Sequence, residues 1–449
     1  MNPGFLVFSI VLSIAVLVYL TVKIKLHPFF ALTIAAFTFG IITGQAVPDI
    51  VAAYSNGLGG TIAGIGVVIA IGTVMGALLE KSGAAETMAK TILKITGPKH
   101  AALGLAVTGY FVSIPVFCDS AFVLLSPLAK RLSRDTKISM TTMAIALGMG
   151  LHATHMLVPP TPGPLAVAGI LNADLGLVIL LGMVASIPVT LVGYYLGVYF
   201  GKKYYFIPDD IEENTIVAGK EPSALMSFLP ILLPIFLMLL NTIASLNSKP
   251  FGSDNLITGL LAAVGQPVTA LFIGLIFAFF TYRSIHPEDK SVWTFDGAFG
   301  ESLKTAGQIV LIVGAGGAFA TVLKTSHLEE LVQTYFSGLA IGILVPFIIG
   351  AIFRTAIGSG TVGMITAASM LLPLLEILGF TTPIGLVIAM LACASGGFMV
   401  FHGNDDFFWV ITSTSEMKPE VAYKTLPIIS VAQAFTSLAV VFIMKIIFL

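Results

Sequence analysis

Residues 175–201 read LGLVILLGMVASIPVTLVGYYLGVYFG, an uncharged stretch that begins after Asp174 and stops at Lys202 and Lys203. A helix needs about 20 consecutive apolar residues to cross the hydrocarbon core of a bilayer, and this segment is long enough to do so. Working outward, residues 1–22, 29–48, 61–79, 224–248, 255–282 and 305–323 repeat the pattern, again without a charged residue. Backbone that faces lipid must satisfy its own hydrogen bonds, which leaves helices or a closed barrel. Such long continuous runs lack the period-two alternation of barrel strands, so the expected fold is an all-α polytopic membrane protein. Composition agrees: 449 residues that are 57% hydrophobic and 10% charged, with a mean hydropathy of +1.00, exclude an ordinary soluble domain.

The first apolar run has no basic leader and no small-residue cleavage site, so it is expected to remain as the first membrane helix. A net charge of −1, with basic residues confined to a few loops, gives no reason to expect a nucleic-acid partner. The two cysteines, Cys118 and Cys393, both sit in apolar stretches, which argues against a disulfide framework. No metal or cofactor is expected, because no ligand cluster such as HExxH is present. Short cytoplasmic loops carry the Lys and Arg excess. The clusters at Lys23/Lys25, Lys81–Lys99, Lys130–Lys137, Lys202/Lys203, Arg283–Lys304 and Lys418/Lys424 are therefore placed inside, and Asp49, Asp174, Asp254 and Glu329/Glu330 outside.

This assignment requires two apolar regions to enter and leave on the same side, and they are the two most interrupted ones. Residues 101–130 are broken by Pro115 and Asp119, and residues 338–378 by Arg354 and the GSGT run at 358–361. Each is expected to be a re-entrant helical hairpin, one opening inward and the other outward. Each is followed by a discontinuous transmembrane helix, residues 139–172 broken at VPPTPGP (158–164) and residues 382–415 broken at HGNDD (402–406). A weak internal match of residues 76–88 to 320–332, sharing Ser82/Ser326 and Glu86/Glu330, precedes both hairpins. The expected organisation is thus two inverted structural repeats, residues 1–201 and 223–449, joined by a polar cytoplasmic linker at 202–222. Paired, inverted, broken helices point to a transporter binding site near the bilayer midplane.

Ionisable groups inside apolar runs are functional candidates by default, since burying a charge at the bilayer centre costs about 2.5–3.5 kcal/mol even on lenient scales. Asp119, with Ser120 beside it, sits at the first hairpin tip, where it could carry a proton or merely cap a helix. His155 lies one turn before the Pro-Pro break, either facing substrate or bonding between helices, and His152 on the same face suits packing. Thr161 and the pair Asn404-Asp405 occupy corresponding breaks, where freed backbone and short polar side chains could coordinate a polyol or carboxylate. Gly358, Ser359, Gly360 and Thr361 suit an anion cradle, against the plainer reading of a tight turn. Arg354 could stabilise an anion or snorkel to the interface. Glu376 and Asp406 suit helix ends.

The runs GALLEKSGAAE (76–86), PVFCDSAFVLLSPLAK (115–130), HMLVPPTPGP (155–164), RTAIGSGTVGMITAA (354–368) and HGNDDFFW (402–409), in this order, resemble the gluconate permease (GntP) family of sugar-acid transporters. The resemblance implies proton-coupled uptake of a small hydroxy-carboxylate across the inner (cytoplasmic) membrane, on an inverted-repeat scaffold that is typically a homodimer. Asp119 matches the family's acidic hairpin residue, His155 its histidine before the Pro-Pro break, Gly358-Ser359 its Gly-Ser run, and Asn404-Asp405 its Asn-Asp pair. Two positions depart from the family pattern. Thr161 stands where a histidine is usual, and Gly360 where alanine is common. On this reading Ser359, Thr361 and the hairpin amides hold the carboxylate, and Asn404, Thr161 and His155 read the hydroxyls. Asp119 or Asp405 carries the coupling proton, with sodium as the other candidate ion. The alternatives are uptake of another small acid such as D-serine or glycerate, a membrane-embedded hydrolase using His155 and Asp119, and an ion channel.

Overall fold

The computed structural model describes residues 3–208, 221–244, 256–325, 342–403 and 405–449. Among the described residues every regular element is helical. The first half comprises α1 (Pro3–Val18), α2 (Pro28–Ile42), α3 (Val47–Lys81), α4 (Ala84–Thr96), α5 (Ala101–Val112), α6 (Cys118–Thr136), α7 (Met140–Leu157), α8 (Pro162–Ile170) and α9 (Leu175–Lys203). After it come α10 (Ala224–Ala244), α11 (Leu256–Val264), α12 (Pro267–Ile285) and α13 (Ala298–Lys324). The last five are α14 (Leu344–Ile357), α15 (Gly360–Leu371), α16 (Pro383–Gly396), α17 (Asp406–Thr414) and α18 (Pro419–Phe448). Eight segments of the described chain are long and apolar enough to cross a membrane, α3, α9, α12 and α18 among them. Ser326, Glu329, Glu330, Asp254, the linker residues 209–220 and the start of the second hairpin at 338–341 lie outside the described residues.

The long helices are apolar on the side that a water-soluble helix keeps polar. On α9, Val184, Ile187, Tyr195 and Tyr199 are exposed, while Gly182, Ala185, Ser186, Gly193 and Gly197 are buried. Lipid is as apolar as leucine, so large side chains gain nothing by turning inward, and small residues let the helix backbones approach instead. The clearest cases are two crossings with a glycine on each helix. A Cβ at Gly109 of α5 would lie 2.6 Å from Leu151 N, and one at Gly150 of α7 would lie 2.3 Å from Ala106 O. A Cβ at Gly350 of α14 would lie 2.1 Å from Cys393 O, and one at Gly396 of α16 would lie 2.0 Å from Phe347 O.

Packing partners correspond across the two halves. Helix α5 packs on α7, and α14 on α16; α7 packs on α9, and α16 on α18. The second legs cross over: α6 packs on α17, and α15 on α8. Helices α3 and α13 lie against one another, with Gly57 and Gly317 at their contact.

The interruptions fall where the residue types demand them. Helix α5 ends at Val112, and α6 restarts at Cys118 after a turn that holds Pro115. Helix α14 ends on Gly358 at φ +84°, a backbone conformation that glycine adopts freely, and Ser359 caps α15 by accepting a hydrogen bond from Val362 N at 3.4 Å. The break after α7 spans Val158–Thr161, and that after α16 begins at residue 397, further back than the HGNDD motif. Arg354 lies inside the last turn of α14 and does not itself interrupt it.

Outside the spans, residues 286–297 fold back on α12. Tyr282 donates its hydroxyl to Asp289 Oδ2 at 2.6 Å, Arg283 Nη1 donates to the Asp289 carbonyl at 2.8 Å, and Ser291 donates its hydroxyl to Oδ1 at 2.6 Å and its amide at 2.8 Å. The Ser291 and Tyr282 hydroxyls hold the Asp289 carboxyl at about 2, below its usual 3.8.

Candidate substrate-binding site

A cavity of about 340 Å³ lies where both helix–turn–helix units meet both broken helices. Its wall includes Phe117, Cys118 and Asp119 from the head of α6, His152, His155 and Met156 from the end of α7, and Arg354 and Ile357 from the end of α14. Ser359, Gly360 and Thr361 from the head of α15, Phe401 from the second break, and Asp405, Asp406 and Phe407 at the head of α17 complete it. Three helices therefore begin at this cavity. The unpaired N–H groups and the positive dipole ends of helix N-termini favour anions. Helix α6 adds to this, because its N-cap is Phe117, which offers no side-chain acceptor to the first amides.

The principal charge is Arg354. It is 2% exposed, and its Nη1 donates to both the Gly358 carbonyl and Asp405 Oδ2. Among the described residues its Nε has no hydrogen-bond partner. The guanidinium lies 5.5 Å from the Phe401 ring centroid, a cation–π distance. A side chain this buried and this bonded does not snorkel, so of the two sequence readings of Arg354 the interfacial one is set aside. Asp405 is equally committed. Its Oδ1 caps α17, accepting from Phe407 N at 2.7 Å and Phe408 N at 3.4 Å, while Oδ2 meets Arg354.

Asp119 is the contrasting carboxylate. Among the described residues its Oδ1 is buried without a hydrogen-bond partner, and Oδ2 accepts from the Cys118 thiol at 3.8 Å. His155 lines the same cavity beside the Phe117 ring at 6.3 Å, and its Nδ1 is buried without a hydrogen-bond partner among the described residues. His152 is enclosed by aromatic rings, with Phe398 at 5.0 Å and Phe401 at 5.2 Å, and among the described residues neither ring nitrogen has a hydrogen-bond partner. It lines the cavity as well as packing.

Of the residues singled out from the sequence, Asp119, His155, Ser359, Gly360, Thr361 and Asp405 meet in this one cavity. Thr161 does not line it. Its hydroxyl donates to the carbonyls of Val158 at 2.7 Å and His155 at 3.1 Å, holding the break together from within. Gly358 contributes a carbonyl to Arg354 and not an amide to the cavity. Ser120 is half-buried outside the lining, and Asn404 lies outside the described residues. Phe117, Met156 and Phe401 form the apolar wall, which sequence reasoning missed because they look like any other core residue.

The sequence matches the family profile described as GntP family permease over residues 5–447. The chain belongs to the GntP permease family. It is thus a multi-pass membrane transporter and not an enzyme, as the permease and transporter names of its relatives agree. This GntP permease is 31% identical over 432 residues to the gluconate permease of Pseudomonas aeruginosa, covering 94% of each chain. It is also 33% identical over 412 residues to the D-serine transporter DsdX of Escherichia coli, covering 90% of each. Its fold resembles the crystal structure of the Alcanivorax borkumensis YdaH transporter, described as having an unusual topology, with a TM-score of 0.63 at 16% identity over 89% of this chain and 88% of that one.

Proposed function

We propose that this permease imports a small hydroxy-carboxylate, gluconate or a related sugar acid, across the inner membrane together with a proton. The observation that carries the reading is Arg354, a buried guanidinium whose Nε is unused among the described residues, set in a cavity where three helices begin and where Asp119 Oδ1 likewise lacks a partner. Arg354, the head of α15 with Ser359 and Thr361, and the α6 amides receive the carboxylate. His155 reads hydroxyls from the opposite wall. Asp119 takes the coupling proton, since it can do so without breaking an ion pair. One proton per monoanion makes the cycle electroneutral. A second proton would add about 2.3 kcal/mol of drive per 100 mV.

The crossed packing of α6 on α17 and of α15 on α8, with glycine crossings at corresponding helix pairs, supports two inverted repeats whose helix–turn–helix units are re-entrant hairpins. On that scaffold the cavity sits near the midplane, and the protein works as a homodimer.

Uptake of labelled gluconate into proteoliposomes tests this, under an imposed proton gradient and, in parallel, a sodium gradient. Accumulation that follows the proton gradient and is lost in Asp119→Asn, while gluconate exchange survives, is the expected result; accumulation driven by sodium alone would overturn the coupling. A second reading has a specific observation behind it. Asp119, with Oδ1 free of hydrogen bonds among the described residues, suits the ammonium of a zwitterion as well as a proton, and the chain is as similar to a D-serine transporter as to a gluconate permease. Competition of unlabelled D-serine against gluconate, and the reverse, separates the two.

A further inference from the structure

Arg354 and Asp405 are 2% and 6% exposed and pair with each other on the cavity wall. The pairing leaves both partners with something in reserve. On Arg354, Nη1 serves Asp405 and the Gly358 carbonyl, and Nε has no partner among the described residues. On Asp405, Oδ1 is independently held by the amides of Phe407 and Phe408. The carboxylate of Asp405 thus occupies, on the only guanidinium lining the cavity among the described residues, the position that an incoming carboxylate needs. A planar guanidinium prefers two parallel bonds to one carboxylate, which Asp405, anchored through its cap, does not supply and a free ligand can.

We propose that Asp405 is an internal stand-in for the substrate's carboxylate: substrate displaces it from Arg354, and the charge so released draws one proton into the cavity. The inference rests on the carboxylate reading above. The ionisable groups that face Asp405 are Cys118 and Asp119 from α6, His152 and His155 from α7, Arg354 from α14, and Asp406 on its own helix. Once the substrate neutralises Arg354, Asp405 and Asp119 are two carboxylates lining one cavity without a counter-ion. Two like charges on one cavity disfavour each other, so the site takes up one proton on Asp119, whose Oδ1 has no hydrogen-bond partner among the described residues. Anion binding and proton binding then become a single event, and neither the anion nor the proton is bound alone.

Isothermal titration of the full-length protein in detergent, with sodium gluconate and with D-serine, tests this when repeated in two buffers of different ionisation enthalpy, which counts the protons taken up. The wild type is expected to take up about one proton per gluconate and none with D-serine, whose ammonium meets the released carboxylate. Asp405→Asn keeps the capping oxygen and removes the charge. It is expected to bind gluconate about tenfold more tightly with no proton uptake, because the latched state no longer lowers the apparent affinity. The double variant Arg354→Gln with Asp405→Asn leaves neither charge buried alone, and it is expected to bind neither acid. Wild-type binding of gluconate with weaker or equal binding in Asp405→Asn, or with an unchanged proton count there, overturns the stand-in alone. A wild type that binds neither acid overturns the carboxylate reading itself.

Discussion

Arg354 is the residue on which the site turns, and its burial makes its loss measurable in two ways. Arg354→Gln leaves Asp405 buried without its partner, a change that typically costs about 3–5 kcal/mol, so a large drop in thermal unfolding temperature in detergent is expected along with loss of carboxylate uptake. Thr161 behaves differently. Replacing it by Val removes both bonds to the Val158 and His155 carbonyls at the first break, and buried acceptors left unpaired cost about 1–3 kcal/mol. The expected outcome for Thr161→Val is lower stability with little change in the ranking of competing acids in an uptake assay, contrary to the sequence expectation that this side chain reads the substrate. Sequence reasoning reached Asp119, His155 and Asp405 because ionisable groups are conspicuous in apolar runs. It left Arg354 undecided because the partner that buries it is Asp405, 51 residues away across a helix break, and a one-dimensional reading does not pair them.

At the scale of elements, glycine crossings decide how closely the helices that carry the site can approach. Gly150→Ala on α7 and Gly396→Ala on α16 each drive a methyl group into a facing carbonyl. Overpacking of this kind costs about 1–3 kcal/mol, and both variants are expected to melt earlier and to transport more slowly, whereas Gly60→Ala, where nothing lies within 4 Å, should melt like the wild type. The Asp289 staple gives an independent check on a connecting loop. A carboxyl held at about 2 in the folded protein contributes its stabilisation above the unfolded carboxylate range of about 4 and loses it as pH falls through 2, so the loop stays stapled throughout the neutral range. Asp289→Ala is expected to speed tryptic cleavage after Arg283 and Lys290 at neutral pH. The helix breaks at Pro-Pro and Gly-Ser were legible in the sequence, since proline removes a donor and glycine permits positive φ. The extent of the second break was not, because residues 397–401, GFMVF, carry no proline and no charge to mark it.

At the scale of the whole molecule, the charge distribution predicts sidedness. A cysteine introduced at Asp174 should react with an impermeant maleimide in intact cells, and one at Lys290 only after the membrane is permeabilised; the native Cys118 and Cys393 are buried and give little background. Labelling of both positions from one side would overturn the orientation. The sequence by itself determined that the chain is helical and lives in a membrane, because uncharged runs long enough to span a bilayer have one way to satisfy their backbone. It also determined that helices break at Pro-Pro and Gly-Ser and which side chains must justify their burial. What only the tertiary structure decided is who meets whom: that the heads of α6, α15 and α17 converge on one cavity, that Arg354 spends its charge on Asp405, and that Thr161 turns back on its own break. These are contacts between segments far apart in the chain, set by how small residues let helices cross, and no local periodicity encodes them.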